Sequence, residues 1–127
     1  MITKALGTLA IMVLSVAASN AVSGQTQIVQ LAKLQIDPAQ LESYKAALKE
    51  EVETALRVEP GVLSLYAMAA MENSAHITLV EIYADEDAYQ AHLQTRHFLK
   101  YKTGTKEMVK SLELVRVVPL FPELKAK

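Results

Sequence analysis

The pattern of apolar and polar positions predicts four strands and two amphipathic helices between residues 28 and 119. Alternation at every second position is typical of strands, and apolar residues at three- and four-residue spacing are typical of helices with one buried face. The predicted strands span residues 28–36, 62–71, 75–83 and 112–118, and the predicted helices span 37–59 and 85–110. This β-α-β-β-α-β order is that of an α+β, ferredoxin-like sandwich.

Local sequence signals indicate where each helix begins and ends. Asp37 and Asp85 each stand at a position where a side chain can cap the first turn of a helix. Pro60-Gly61 ends the first helix, and the second helix is expected to break at Thr95-Arg96. Gly104 lies inside the last helical run, where glycine costs about 1 kcal/mol relative to alanine. A bent or closely packed turn is therefore expected at that position.

The two faces of the predicted sheet differ in what can cover them. In the third strand Leu79, Glu81 and Tyr83 point to one side, whereas Val80 and Ile82 point to the other. Two helices can cover only one side. A large apolar sheet face is a liability in a monomer, and packing two such faces across a two-fold axis would bury both. The sequence therefore predicts a homodimer.

The N-terminal residues have the features of a cleavable signal peptide. Lys4 precedes an apolar run over residues 5–18, and Ser19-Asn20-Ala21 offers small residues for cleavage. Cleavage is expected after Ala21 or, as second choice, after Gly24. The run is shorter than the roughly 20 residues of a spanning helix, which disfavours an uncleaved anchor. We expect a periplasmic or secreted protein with a short leader (22–27), one domain (28–119) and a tail (120–127).

Composition and charge exclude several classes of function. A chain of 127 residues with 51% apolar content fits one globular domain. Without residues 1–21 it has 12 basic and 14 acidic residues, a net charge of −2, and no basic stripe, so nucleic acid is not expected as a partner. The absence of cysteine excludes disulfides and thiol chemistry. The four glycines form no GxGxxG motif, so no flavin or nicotinamide cofactor is expected.

Two polar residues are the candidates for catalysis. His92 could act as an acid/base group or orient a substrate, because histidine titrates near neutral pH; alternatively, it packs or caps the helix break. Glu81 stands in an apolar strand and could be a site acid or a partner of His92; alternatively, it forms a salt bridge with Lys33 or Arg116. His92 and His97 are five residues apart across the break, unlike the i,i+4 pair of a zinc helix. No metal site is therefore expected.

Several aromatic residues could line a cleft that stacks a flat ring, although most aromatic residues at such spacing belong simply to the core. His97 could contact the substrate beside them or satisfy backbone groups at the break. His76, near a turn, is expected to be exposed. The residues assigned to substrate binding are Tyr66, Tyr83, His97, Phe98 and Tyr101, with Tyr89 as a further aromatic candidate for the cleft.

Two segments, Val80-Glu81-Ile82-Tyr83 and Ala91-His92-Leu93-Gln94-Thr95-x-His97-Phe98, resemble the antibiotic biosynthesis monooxygenase family, in particular its quinol monooxygenase branch. The resemblance extends over Ile28 to Pro119 and includes the Glu59-Pro60-Gly61 turn. It implies a dimeric α+β barrel and an oxygenase that uses dioxygen on a hydroquinone or similar electron-rich aromatic, without metal or organic cofactor.

The sequence disfavours one other function known on this scaffold and leaves two open. Haem-degrading relatives use an asparagine on the first strand, a tryptophan and a histidine ligand. The chain has no tryptophan, its first strand has no asparagine, and Lys100-Tyr101-Lys102 occupies the corresponding helix positions. A non-catalytic binder of small apolar ligands and an isomerase that uses His92 to shuttle a proton remain alternatives.

Overall fold

The computed structural model describes residues 26–121 and has the α+β, ferredoxin-like architecture predicted from the sequence. The predicted signal peptide, most of the leader and the end of the tail lie outside the described residues. The four strands form one antiparallel sheet in the order β2-β3-β1-β4. The elements are β1 (Ile28–Ile36), α1 (Leu41–Val58), β2 (Val62–Ala70), β3 (Asn73–Tyr83), α2 (Glu86–His92), α3 (Arg96–Thr105) and β4 (Val109–Val117).

The helices begin at the capping residues that the sequence indicates. The Asp37 carboxylate accepts a hydrogen bond from the backbone N–H of Ala39 at 3.0 Å, and a 3-10 turn over Pro38–Gln40 leads into α1. Asp85 accepts from the backbone N–H of Ala88 at 2.8 Å and starts α2. Thr95 caps α3, which explains why the predicted second helix is divided into two.

Three local predictions were wrong. α3 ends at Thr105, not near residue 110, and β4 begins at Val109, because the residues after the helix already pair with Ile36 at the end of β1. The connection between β2 and β3 is the two-residue turn Met71-Glu72, since Ala70 already pairs with Asn73. Of the two alternatives expected at Gly104, close packing was wrong, because a Cβ there would meet nothing within 4 Å among the described residues.

The helices cover one face of the sheet, and the core lies between them. Buried residues of that face include Ala32, Leu34, Leu79 and Tyr83, and the fully buried Tyr44 of α1 packs against the first three. This is the face that the sequence assigns to Glu81 and Tyr83. The turn before β2 approaches α2 closely, since a Cβ on Gly61 would lie 2.5 Å from the Cβ of Ala88.

The opposite face of the sheet carries apolar side chains that none of the helices within residues 26–121 covers. Register places Tyr66 opposite Val80, and Leu31 opposite both Val80 and Val115, on this outer face. Tyr66 is 63% exposed and Met68 is also exposed. The uncovered face on which the homodimer prediction rests is therefore present. Within residues 26–121, no helix is long and apolar enough to cross a membrane.

Candidate active site

A cavity of about 280 Å³ lies between the covered face of the sheet and the three helices. Its wall is mostly apolar, with leucine and valine side chains from the sheet and α1. Polar groups are concentrated at a few points, which is the usual organisation of a small-molecule site. The polar side chains of the wall include Gln30, Glu51, Glu81, Tyr83, His92 and Tyr101.

His92 is the last residue of α2 and lies in the wall of the cavity, 3% exposed. Its Nδ1 lies 2.9 Å from a carboxylate oxygen of Glu59, the residue that follows α1. Its Nε2 lies 3.6 Å from Oε1 of Glu51. The imidazole is thus held between two carboxyl groups. A proton on Nδ1, donated to Glu59, leaves Nε2 free to accept a proton.

The same Glu59 oxygen also binds His97, whose Nε2 lies 2.6 Å away. The break at Thr95 brings the two imidazoles to one side, with ring centroids 6.3 Å apart. His97 does not line the main cavity. It lies beside a smaller cavity of about 140 Å³, which Glu51 also lines. His92 therefore lines the larger cavity, whereas His97 lines the smaller one.

Glu51 was not identified by the sequence analysis, although the signal was present. It follows Tyr44 and Leu48 and precedes Ala55 at helical spacing, and all four side chains are buried along the inner side of α1. Neither of its carboxylate oxygens has a hydrogen-bond partner among the described residues. Burial raises the pKa of Glu51 from 4.5 to about 7, and the charge of His97 partly opposes this increase.

Glu81 lies in the cavity wall but makes neither of the contacts proposed from the sequence. It accepts hydrogen bonds from the side-chain amide of Gln30 at 2.9 Å and from the hydroxyl of Tyr83 at 3.3 Å. Burial raises the pKa of Glu81, and these two hydrogen bonds partly offset the effect. The expected hydrogen bond to His92 and salt bridges to Lys33 or Arg116 are therefore wrong.

Arg116 is connected to Glu81 through the side chain of Gln30. Its Nε donates to the side-chain oxygen of Gln30 at 3.0 Å, and the guanidinium lies over the ring of Tyr89 at 4.8 Å. It also pairs with Glu86 at 3.3 Å. The chain of contacts from Arg116 through Gln30 to Glu81 thus crosses three adjacent strands of the sheet.

Four of the five aromatic candidates lie at the cavity. Tyr83, Tyr89, Phe98 and Tyr101 line it, whereas Tyr66 lies on the outer face of the sheet. The assignment of Tyr66 to the cleft was wrong, because a residue whose partner is Val80 points away from the helices. Tyr101 shares a hydrogen bond with the hydroxyl of Tyr44, and burial raises the pKa of the Tyr101 hydroxyl.

Comparison with known proteins gives consistent results at the level of family and fold. The chain is 53% identical to a presumed antibiotic biosynthesis monooxygenase of Bacteroides thetaiotaomicron, over 81% of this chain and 98% of the other, with a TM-score of 0.77. A presumed monooxygenase of Lactobacillus acidophilus is 29% identical over 73% of this chain and 44% of its own length, with a TM-score of 0.72.

A third structure, a presumed antibiotic biosynthesis monooxygenase of Nitrosomonas europaea, shares the fold at 20% identity, over 76% of this chain and 93% of its own, with a TM-score of 0.71. No curated protein matched the chain. The sequence model of the antibiotic biosynthesis monooxygenase family matches residues 27–104, which is more than half of the chain. The chain therefore belongs to the antibiotic biosynthesis monooxygenase family.

Proposed function

We propose that the protein is a monooxygenase that oxidises a hydroquinone, or a similar electron-rich aromatic, with dioxygen and without metal or organic cofactor. The observation that carries the proposal is the position of His92. Its buried imidazole lines the cavity, Nδ1 is bound to Glu59, and Nε2 is directed to the side of Glu51. This arrangement provides a general base, Nε2 of His92, in the wall of the mostly apolar cavity.

The first step is removal of a phenolic proton. A ring that enters the cavity places a hydroxyl near Nε2 of His92, which accepts the proton as a general base. The Glu59 carboxylate, at 2.9 Å from Nδ1, holds the ring orientation and stabilises the imidazolium that forms. The product of this step is a phenolate, which gives up an electron far more readily than the neutral phenol.

The remaining steps pass between the substrate and dioxygen. The phenolate gives one electron to dioxygen, the two radicals combine in a carbon–oxygen bond, and the hydroperoxide loses water. One hydroquinone and one dioxygen thus give one hydroxyquinone and one water, and the proton held by His92 returns with the leaving hydroxide. The apolar walls of the cavity exclude solvent from the charged intermediates.

The size of the cavity supports a small substrate. Its volume of about 280 Å³ is close to the lower end of the roughly 300–1,000 Å³ range of small-molecule sites. The rings of Tyr83, Phe98 and Tyr101 offer surfaces on which a flat substrate can pack. A substrate with one or two rings fits this space better than an extended polycyclic compound.

Oxygen uptake with a panel of hydroquinones tests the proposal. The purified protein should consume dioxygen and form the hydroxyquinone in a one-to-one ratio, in the presence of EDTA. His92→Ala should abolish most of the uptake, whereas His76→Ala, a change to the exposed histidine of β3, should not. Tight binding of the panel without turnover would instead favour a non-catalytic ligand-binding protein.

We also propose that the protein is a homodimer that buries the outer face of the sheet. The exposed Tyr66 and Met68, together with the apolar side chains of Leu31, Val80 and Val115, support an apolar contact between copies. Light scattering at micromolar concentration should give the mass of two chains, and Tyr66→Glu should shift the protein towards a monomer. A monomeric wild-type protein would contradict this arrangement.

Export is a further part of the proposal. The positive residue, apolar run and small residues within positions 1–21 support a cleavable signal peptide, and the mature protein would then act in the periplasm or outside the cell. N-terminal sequencing of the periplasmic protein should give a start near Val22 or Gln25. A product that keeps Lys4 and is found only in membranes would contradict cleavage.

A further inference from the structure

We propose that Glu51, His92 and His97 form a binding site for one divalent transition-metal ion of the zinc type. One ligand atom of each residue lies within 4.8 Å of the other two. The three residues come from three different helices, α1, α2 and α3, so their meeting depends on the fold and not on a local repeat. Two imidazoles and one carboxylate are a common donor set for zinc and related ions.

The distances fit a shared ion. Zinc binds imidazole nitrogen and carboxylate oxygen at roughly 2.0–2.2 Å, which puts two tetrahedral ligands about 3.4 Å apart. Nε2 of His92 and Oε1 of Glu51 are 3.6 Å apart. All three ligand atoms lie within 4.8 Å of one another, so a bound ion would draw them closer together.

The state of Glu51 is an independent reason to expect a cation. Its side chain is 4% exposed, and neither oxygen has a hydrogen-bond partner within the part of the chain that the structure describes. A buried carboxylate without such a partner is unusual and costly. An ion bound between Glu51 and the two histidines would satisfy its oxygens directly.

Glu59 provides the outer support that such sites normally have. Histidine ligands usually donate their second ring N–H to a carboxylate, which fixes the tautomer and the orientation of the ring. Glu59 meets Nδ1 of His92 at 2.9 Å and Nε2 of His97 at 2.6 Å through one oxygen. When each ring is neutral and its proton is on the nitrogen that faces Glu59, Nε2 of His92 and Nδ1 of His97 each have a lone pair that can bind an ion.

An ion has a route to the site that does not cross the main cavity. The smaller cavity of about 140 Å³ reaches both Glu51 and His97, and exposed residues of α1 and α3, Glu50 and Lys100, lie on its rim. Binding there would occupy the lone pair of Nε2 of His92. If the proposed function holds, the ion therefore inhibits turnover by removing the base, whereas ion binding itself does not depend on that function.

Calorimetric titration of the EDTA-stripped full chain with zinc tests the site. One ion per chain should bind to the wild type and to His76→Ala, the control that removes the exposed histidine. Glu59→Gln should weaken binding by about 10- to 100-fold, because it removes only the outer support. Glu51→Gln and His97→Ala each remove a ligand and should weaken binding at least as much as Glu59→Gln.

The absorption spectrum of bound cobalt gives a second measurement. If Glu51 had only a structural role, its replacement would leave this spectrum unchanged. Bound Co²⁺ should show the intense visible absorption of a four-coordinate ion, and Glu51→Gln, which preserves the shape of the side chain, should lose it. Unchanged zinc affinity in Glu51→Gln and His97→Ala, or loss of binding in His76→Ala, would overturn the proposal. Failure of the wild type to bind would also overturn it but would leave oxygen uptake unaffected.

Discussion

Replacing Glu51 with glutamine should remove a pH dependence that this carboxyl imposes on stability. Its pKa is about 7 in the folded protein because the side chain is buried, compared with 4.5 as a free group. Between these values the unfolded chain releases the proton and the folded chain retains it. The contribution of this carboxyl to the free energy of unfolding is therefore fully present below pH 4.5, and it is lost as the pH rises through 7.

The expected magnitude follows from the two pKa values. For a carboxyl that titrates at 4.5 when unfolded and near 7 when folded, the free energy of unfolding decreases by about 2.5 kcal/mol between pH 5 and pH 8. The groups that face Glu51 are His92, His97, Glu59 and Glu50. They are present in both proteins, so the difference between the wild type and Glu51→Gln isolates this carboxyl.

Urea unfolding in EDTA at several pH values between 5 and 8 measures this difference. Glu51→Gln should gain about 2.5 kcal/mol relative to the wild type from the lowest to the highest pH, whatever the constant offset from the new amide. Glu53→Gln is the matched control, because Glu53 is an exposed residue of the same helix that pairs with Lys49. Parallel curves for the wild type and Glu51→Gln would refute the reasoning.

Two further predictions concern the histidines and the glycines. His92→Ala should lower oxygen uptake on the order of 100-fold, whereas His97→Ala should mainly lower the melting temperature. Initial rates and melting curves of both variants measure these effects. A wild-type rate in His92→Ala would exclude the proton-transfer role. Gly61→Ala should destabilise the protein by about 1–3 kcal/mol, because the new Cβ would overlap that of Ala88. Gly104→Ala should stabilise it by up to about 1 kcal/mol. Similar denaturant midpoints for the two variants would contradict the close contact between Gly61 and Ala88.

The order of the elements could be predicted because alternation and helical spacing are local properties. Asp37 and Asp85 indicated helix starts that the structure has. The contacts of the candidate site could not be predicted, because they join residues far apart in sequence. Glu59, read only as part of a turn, binds histidines 33 and 38 positions away. The partner of Glu81 was missed for the same reason, since Gln30 lies 51 positions away.

Glu51 is a different case: it was missed, although its helical spacing from Tyr44, Leu48 and Ala55 was enough to indicate the inner side of α1. A charged residue at an inward position contradicts the simple amphipathic pattern, and such exceptions tend to occur at functional or strained sites. Gln30 is the same kind of exception in β1, where it is buried between apolar neighbours on its face of the strand. Both exceptions lie in the wall of the main cavity.

Side chains of β3 point alternately to the cavity and to the outer face of the sheet, so neighbouring residues of one strand serve two different surfaces. Glu81 and Tyr83 face the cavity, while Val80 and Ile82 face outward on the uncovered side. Substitutions at the first pair can alter which ligands the chamber accepts without changing the outer surface, and substitutions at the second pair can alter that surface without changing the chamber. Relatives could thus diverge in chemistry and in assembly independently, although both properties are encoded in the same eleven-residue strand.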